Sequence, residues 1–133
     1  AEDSLESVLD QGFKVSSVAH GRMFGNGSYF SDLGSKADLY SGMYGNQDGL
    51  LKVQLLCRVT LGKFSLADKD TKKSECPLPG FDSVVALPKD EGGKVDFLEM
   101  VVYHFLQVLP VCAIYYRHCD TCECRFCAPC RGC

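Results

Sequence analysis

Residues 51–61 constrain this chain's fold more than any other stretch. Leu51, Val53, Leu55, Cys57, Val59 and Leu61 fall on one side of an extended backbone; Lys52, Gln54, Arg58 and Thr60 fall on the other, and Leu56 is the one break. Successive side chains of a strand leave opposite faces, so period two over this length predicts a long half-buried strand in a sheet. A chain of 133 residues suits one domain around one hydrophobic core. Its 46% apolar and 23% charged residues exclude disorder, collagen and coiled coil as the main description. The formal net charge of -3 supplies no basic field, so direct nucleic-acid binding is not expected. No run approaches the roughly eighteen apolar residues of a membrane span, so no membrane partner is expected either. Ala1-Glu2-Asp3 is acidic with no apolar run behind it, unlike a signal peptide.

The remaining signals are short. Asp3 and Glu6 form a capping-box pattern, Leu5, Val8 and Leu9 share a helical face, and Gly12 is placed to end that helix left-handed. Residues 16–28 are a Gly- and Ser-rich loop, after which Tyr29-Phe30 read as a short buried strand. Ser31-Asp32 supply a cap for a second helix near 33–40. Residues 66–80, with Pro77, Pro79 and Gly80, read as a loop, Ser83–Ala86 as a strand and Lys89–Lys94 as a turn. Phe97–Tyr103 and Val111–Tyr116 read as two final strands separated by a bend at Leu109-Pro110. About five strands and two short helices predict an α+β domain with a mostly antiparallel sheet.

Two places carry chemistry. Glu99 lies among Phe97, Leu98, Met100, Val101 and Val102, and by period two it shares a face with Phe97, Val101 and Tyr103. A carboxylate there is paired, protonated or functional if buried; on pattern alone, an edge-strand glutamate facing solvent is the default. The second place is the loop Gly21-Arg22-Met23-Phe24-Gly25-Asn26-Gly27 before Tyr29. Tyr29 and Tyr40 flank the second helix and could bracket a flat ring, although the bare pattern favours ordinary aromatic core.

Taken together, four collinear blocks resemble the catalytic domain of poly(ADP-ribose) polymerases. Met23-Phe24-Gly25-x-Gly27-x-Tyr29-Phe30-x-Asp32-x-x-Ser35-Lys36 looks like the family's NAD-binding signature. Cys57–Lys63 resembles the central strand of the tankyrase subgroup, and Gly80–Val85 the family's G-x-x-S-V strand. Glu99-Met100-Val101-Val102-Tyr103, with Gln107 and Pro110 downstream, resembles the strand that carries the catalytic glutamate. The resemblance implies an ADP-ribosyltransferase fold of two mostly antiparallel sheets around an NAD cleft. It implies transfer of ADP-ribose from NAD to protein acceptors, with Glu99 as the catalytic carboxylate. Tyr29 and Tyr40 would stack nicotinamide, with Phe30, Ser35, Lys36 and Gly27 as further cofactor contacts and the 66–80 loop facing the acceptor. A glutamate at 99 permits elongation of poly(ADP-ribose) without requiring it.

The departures are equally specific. The family's N-terminal strand with its His-Gly pair is expected just upstream of Ala1, and His20-Gly21 lies in the wrong place to replace it. A family serine that binds the nicotinamide carboxamide aligns with Ala37, and the zinc-binding insertion of tankyrases is absent between Tyr40 and Leu55. The chain is therefore expected to be weak or inactive alone, either as a truncated enzyme or as a degenerate NAD- or ADP-ribose-binding or protein-interaction module.

The domain is expected over 1–117, followed by a cysteine-rich tail over 118–133. Of nine cysteines, six are Cys119, Cys122, Cys124, Cys127, Cys130 and Cys133. A disulfide framework would spread through the fold, so this crowding points to a reducing compartment, cytoplasm or nucleus. Cys119, Cys122, Cys127 and Cys130 could form a four-thiolate zinc site; a metallothionein-like cluster and a tail without metal are the alternatives.

Overall fold

A computed structural model describes residues 2–13, 22–41, 51–68 and 71–117. The tail with its six cysteines, and the loop residues 14–21, lie outside the described residues, as do the side chains of Asp3, Leu5 and Leu9 on which the first helix's capping box and apolar face rest. Helix α1 (Glu2–Gln11) precedes β1 (Ser28–Phe30), α2 (Gly34–Asp38), β2 (Lys52–Val59), β3 (Phe64–Ala67), β4 (Ser83–Ala86), β5 (Glu99–Val102) and β6 (Val108–Tyr116). Short 3₁₀ turns sit at Lys73–Glu75, Lys89–Glu91 and Phe105–Gln107. As expected, α1 ends at Gly12, whose φ of 72° lets its N–H reach the Val8 carbonyl at 2.9 Å.

The strands form two sheets, one ordered β1-β5-β4-β3 and the other β2-β6. All pairs are antiparallel except β3–β4. The α+β reading with mostly antiparallel sheets therefore holds. Strand β3 corrects the reading of a loop beginning at 66. Its inward residues are the small Ser65 and Ala67, while Phe64 and Leu66 are about half exposed, so hydropathy alternates in the wrong sense. The parallel return to β4 needs a long connection, which the Pro-containing 68–82 segment supplies.

Two other expectations are corrected. Pro110 does not bend the chain between elements: it lies inside β6, opposite Cys57, where the register shifts. A strand paired on only one side tolerates a missing N–H at such an irregularity. Asp32 does not cap α2; the cap position is Leu33, with no side-chain bond. Ser31 instead accepts from the Leu33 N–H at 3.4 Å and donates to the Leu98 carbonyl at 2.9 Å, tying the end of β1 to the start of β5.

The core collects Phe24, Ala67, Val84, Ala86, Val95 and Val101, with Tyr29, Cys76 and Tyr103 packed against it. Gln107 braces the two sheets. Its Oε1 accepts from the Tyr103 and His104 amides, and its Nε2 donates to the Thr60 and Asp82 carbonyls, all at 3.0–3.2 Å. One side chain thereby satisfies four backbone groups that the turn leaves without ladder partners.

Candidate active site

Glu99 opens β5, which lies inside its sheet between β1 and β4, so it is not an edge-strand glutamate facing solvent. Its side chain is 13% exposed and its Oε1 meets Lys36 Nζ at 2.9 Å. Lys36, 14% exposed, projects from α2. It also donates to the Tyr40 hydroxyl at 3.3 Å and stands 5.0 Å from the Tyr40 ring centre and 5.6 Å from that of Phe97. Burial alone would lower the Lys36 pKa, but the Glu99 hydrogen bond and charge, with the Tyr40 hydroxyl, leave it raised.

Tyr29 stands opposite Val101 in the β1–β5 ladder and so lies on the same sheet face as Glu99. Its hydroxyl accepts from the Phe24 N–H at 2.9 Å and donates to the Gly25 carbonyl at 3.0 Å, holding the glycine loop over the strand. Burial pushes the phenol up to about 12, with the Phe24 amide opposing and the Glu99 charge adding. Tyr103 reaches the same loop, donating to the Phe24 carbonyl, and burial raises its pKa as well.

The residues singled out in the sequence therefore separate into groups. Glu99, Lys36 and Tyr40 converge, and Tyr29 shares the Glu99 face of the sheet. Tyr40 is 60% exposed, with the Lys36 ammonium over its ring. Phe30 points to the other face of β1, where Phe13 meets it edge-on at 5.5 Å. Ser35 is half-buried on α2, and Ala37 is exposed there. Gly27 is buried, and a Cβ on it would lie 2.4 Å from Val101 Cγ1 and 2.8 Å from the Val102 carbonyl oxygen. In this structure its lack of a side chain lets β1 lie close on β5.

A model of the poly(ADP-ribose) polymerase catalytic domain matches residues 2–105. The chain belongs to that family. Poly(ADP-ribose) polymerase domains are NAD-dependent ADP-ribosyltransferases, and the meeting of Glu99, Lys36 and Tyr40 fits that chemistry: a fixed carboxylate beside an exposed aromatic ring. Sequence reasoning placed Lys36 only among further contacts. Nothing in its spacing announces that it is the ion-pair partner of Glu99, because the two meet only when α2 packs beside β5. Phe97 was legible as a same-face neighbour of Glu99, but not as a ring beside the lysine.

A cleft of about 770 Å³ lies between Gly25-Asn26 and residues 72–77, with Tyr103 in its wall. Neither Glu99 nor Lys36 lines it, so it is separate from the carboxylate and borders the loop expected to face the acceptor. Among the described residues, no group of three or more His, Cys, Asp or Glu side chains could hold a metal, and no helix is long and apolar enough to cross a membrane. The candidate zinc ligands Cys119, Cys122, Cys127 and Cys130 lie outside the described residues.

Proposed function

We propose that the chain transfers ADP-ribose from NAD to protein acceptors, releasing nicotinamide, with Glu99 as its catalytic carboxylate. The observation that carries this reading is the Lys36–Glu99 pair beside the exposed Tyr40 ring. Lys36 holds Oε1, and among the described residues no hydrogen bond engages Oε2, which can accept one from a ribose hydroxyl. A carboxylate fixed on an interior strand stabilises positive charge as it develops on the ribose during glycosidic cleavage, without reorganising at that moment. Tyr40 and Tyr29 orient the departing nicotinamide. The Cys57–Lys63 segment favours the tankyrase-like subgroup, and the connection after β3 with its adjoining cleft favours entry of the protein acceptor from that side.

A second reading is a module that binds NAD or ADP-ribose without turnover. Ala37 favours it, because a hydroxyl expected to bind the carboxamide is missing. Incorporation of labelled NAD tests the first reading; with Ala37 in place of a hydroxyl, incorporation by the chain alone is expected to be weak. We expect Glu99→Gln to lower the rate on the order of 100-fold, and equal incorporation by both proteins refutes the catalytic assignment. Thermal stabilisation by NAD without incorporation selects the second reading, and absence of both removes the two together.

A further inference from the structure

Lys36 and Asp38 are two residues apart on α2, roughly 200° around the helix axis, so they leave opposite sides. Lys36 meets Glu99 of one sheet; Asp38 meets the other sheet. Asp38 is only 6% exposed. Its Oδ1 accepts from Ser41 Oγ at 2.9 Å, from Lys52 Nζ at 3.2 Å and from the Tyr116 hydroxyl at 2.5 Å. Lys52 and Tyr116 are direct partners across the β2–β6 ladder, so one rung of that sheet presents two donors to a single carboxylate oxygen. Gln54, on the same face of β2 as Lys52, donates to the Tyr116 hydroxyl at 3.0 Å and to the Gly34 carbonyl at 2.8 Å. The β2–β6 sheet thus grips α2 at its first and last residues.

We propose that Asp38, acting with Tyr116, is a positioning residue that sets the rotation of α2 so that Lys36 meets Glu99. This rests on the catalytic reading of Glu99 given above. A helix of five residues has no stability of its own, and α2 lacks a side-chain cap. Apolar packing could hold it down but would leave its rotation loosely specified. At the roughly 6 Å radius of a side-chain tip, a turn of about 30° carries the ammonium about 3 Å, as far as the whole Lys36–Glu99 hydrogen bond. Converging charge-assisted bonds on the opposite side of the helix resist that turn.

The test uses Tyr116→Phe, which leaves Asp38 paired with Lys52 and Ser41, and Asp38→Asn, with thermal melting to verify folding. The first readout is hydrogen exchange of the Lys36 ammonium, followed by nitrogen-resolved NMR near pH 6 and calibrated against Glu99→Gln, in which the ion pair is gone. We expect exchange to rise at least fivefold in Tyr116→Phe. A purely structural role would lower the melting temperature and leave Lys36 exchange at the wild-type rate, and that result overturns the proposal. The second readout is NAD turnover. We expect Tyr116→Phe to reduce kcat at least threefold with little change in KM, and to have no further effect on top of Glu99→Gln. An unchanged kcat in a domain that turns over NAD also overturns the proposal. If wild type shows no turnover, the catalytic reading fails, and the exchange measurement still decides whether Asp38 and Tyr116 position Lys36.

Discussion

The close seating of β1 on β5 makes Gly27→Ala the sharpest test of how the site is built. The new Cβ would stand 2.4 Å from Val101 Cγ1, 2.8 Å from the Val102 carbonyl oxygen and 3.1 Å from Tyr103 Cε1. Unstrained carbon contacts lie at about 3.5–4.0 Å, so the overlap with Val101 exceeds an ångström. Val101 is fully buried and β-branched, with little rotamer freedom. The second obstacle is backbone, at a position of β5 that pairs with both β1 and β4. Overpacking a tight core costs about 1–3 kcal/mol, and obstacles this rigid place Gly27→Ala at the upper end, about 3 kcal/mol. Urea unfolding should show the midpoint falling by roughly 2 M at constant slope. Val101→Ala removes the first obstacle, so the double variant should be less destabilised than the sum of the singles by about 1–2 kcal/mol. No NAD is present in this assay, which separates strand packing from any approach of the backbone to the cofactor. A Gly27→Ala change within about 0.5 kcal/mol of wild type, or strict additivity in the double variant, refutes the packing argument.

Lys36→Met leaves the Glu99 carboxylate without its cation; breaking a fully buried pair costs about 3–5 kcal/mol, and partial wetting here lowers the expectation to about 2–3 kcal/mol, measured by urea unfolding at pH 7. Lys36 has a raised pKa in the fold, so its contribution is present below the ordinary lysine value near 10.5 and is lost as pH rises through the folded value. Tyr29, Tyr103 and Tyr116 all have raised pKa values, so above their ordinary value of 10.0 the unfolded chain releases protons that the fold retains; stability should decline there, and phenolate absorbance from these three should lag until the chain unfolds. Ala37→Ser restores a hydroxyl at an exposed helical position; one neutral hydrogen bond is worth about 0.5–1.5 kcal/mol, so NAD affinity measured by calorimetry should rise about 2- to 12-fold. For the tail, elemental analysis of the chain and of a version ending at Arg117 decides among the alternatives: about one extra zinc per chain selects the four-thiolate site, and equal metal content removes it.

How much was legible depended on whether local pattern and tertiary role agreed. The 51–61 alternation of hydropathy yielded β2, although burial alternates only from Leu55 onward, because Lys52 and Gln54 reach toward α2. Gly12 announced a left-handed helix end because only backbone geometry was at stake. Strand β3 gave no signal, since its large apolar residues face outward and its buried residues are a serine and an alanine. Pro110 looked like an interruption because a register shift that accommodates it is a property of two strands, not one. At the site, Glu99 was conspicuous as a charge in an apolar run, Tyr29 was legible in the family signature and Tyr40 through the wider resemblance. Lys36 was legible as part of that signature, but its role was not. The same holds for Asp38: the Tyr116 that binds it comes from the last strand, and no sequence period links the two.

The Lys36–Glu99 pair itself argues against a merely structural site. A buried ion pair is weak evidence for stability, because well-packed apolar residues in its place are often as stable or more so. The apolar alternative is at hand here, with Phe97 and Val101 on the face Glu99 shares. A carboxylate kept at that position, held by a lysine on one oxygen, makes physical sense if its other oxygen has a use. Ala37 is exposed on α2 and takes no part in the Lys36–Glu99 pair or the Asp38 contacts, so a missing hydroxyl there leaves both intact. On the proposed role of Glu99, the departure at Ala37 would weaken one contact to a ligand and leave the Lys36–Glu99 geometry in place, and a chain altered in that way should lose affinity for NAD before it loses the capacity to cleave it.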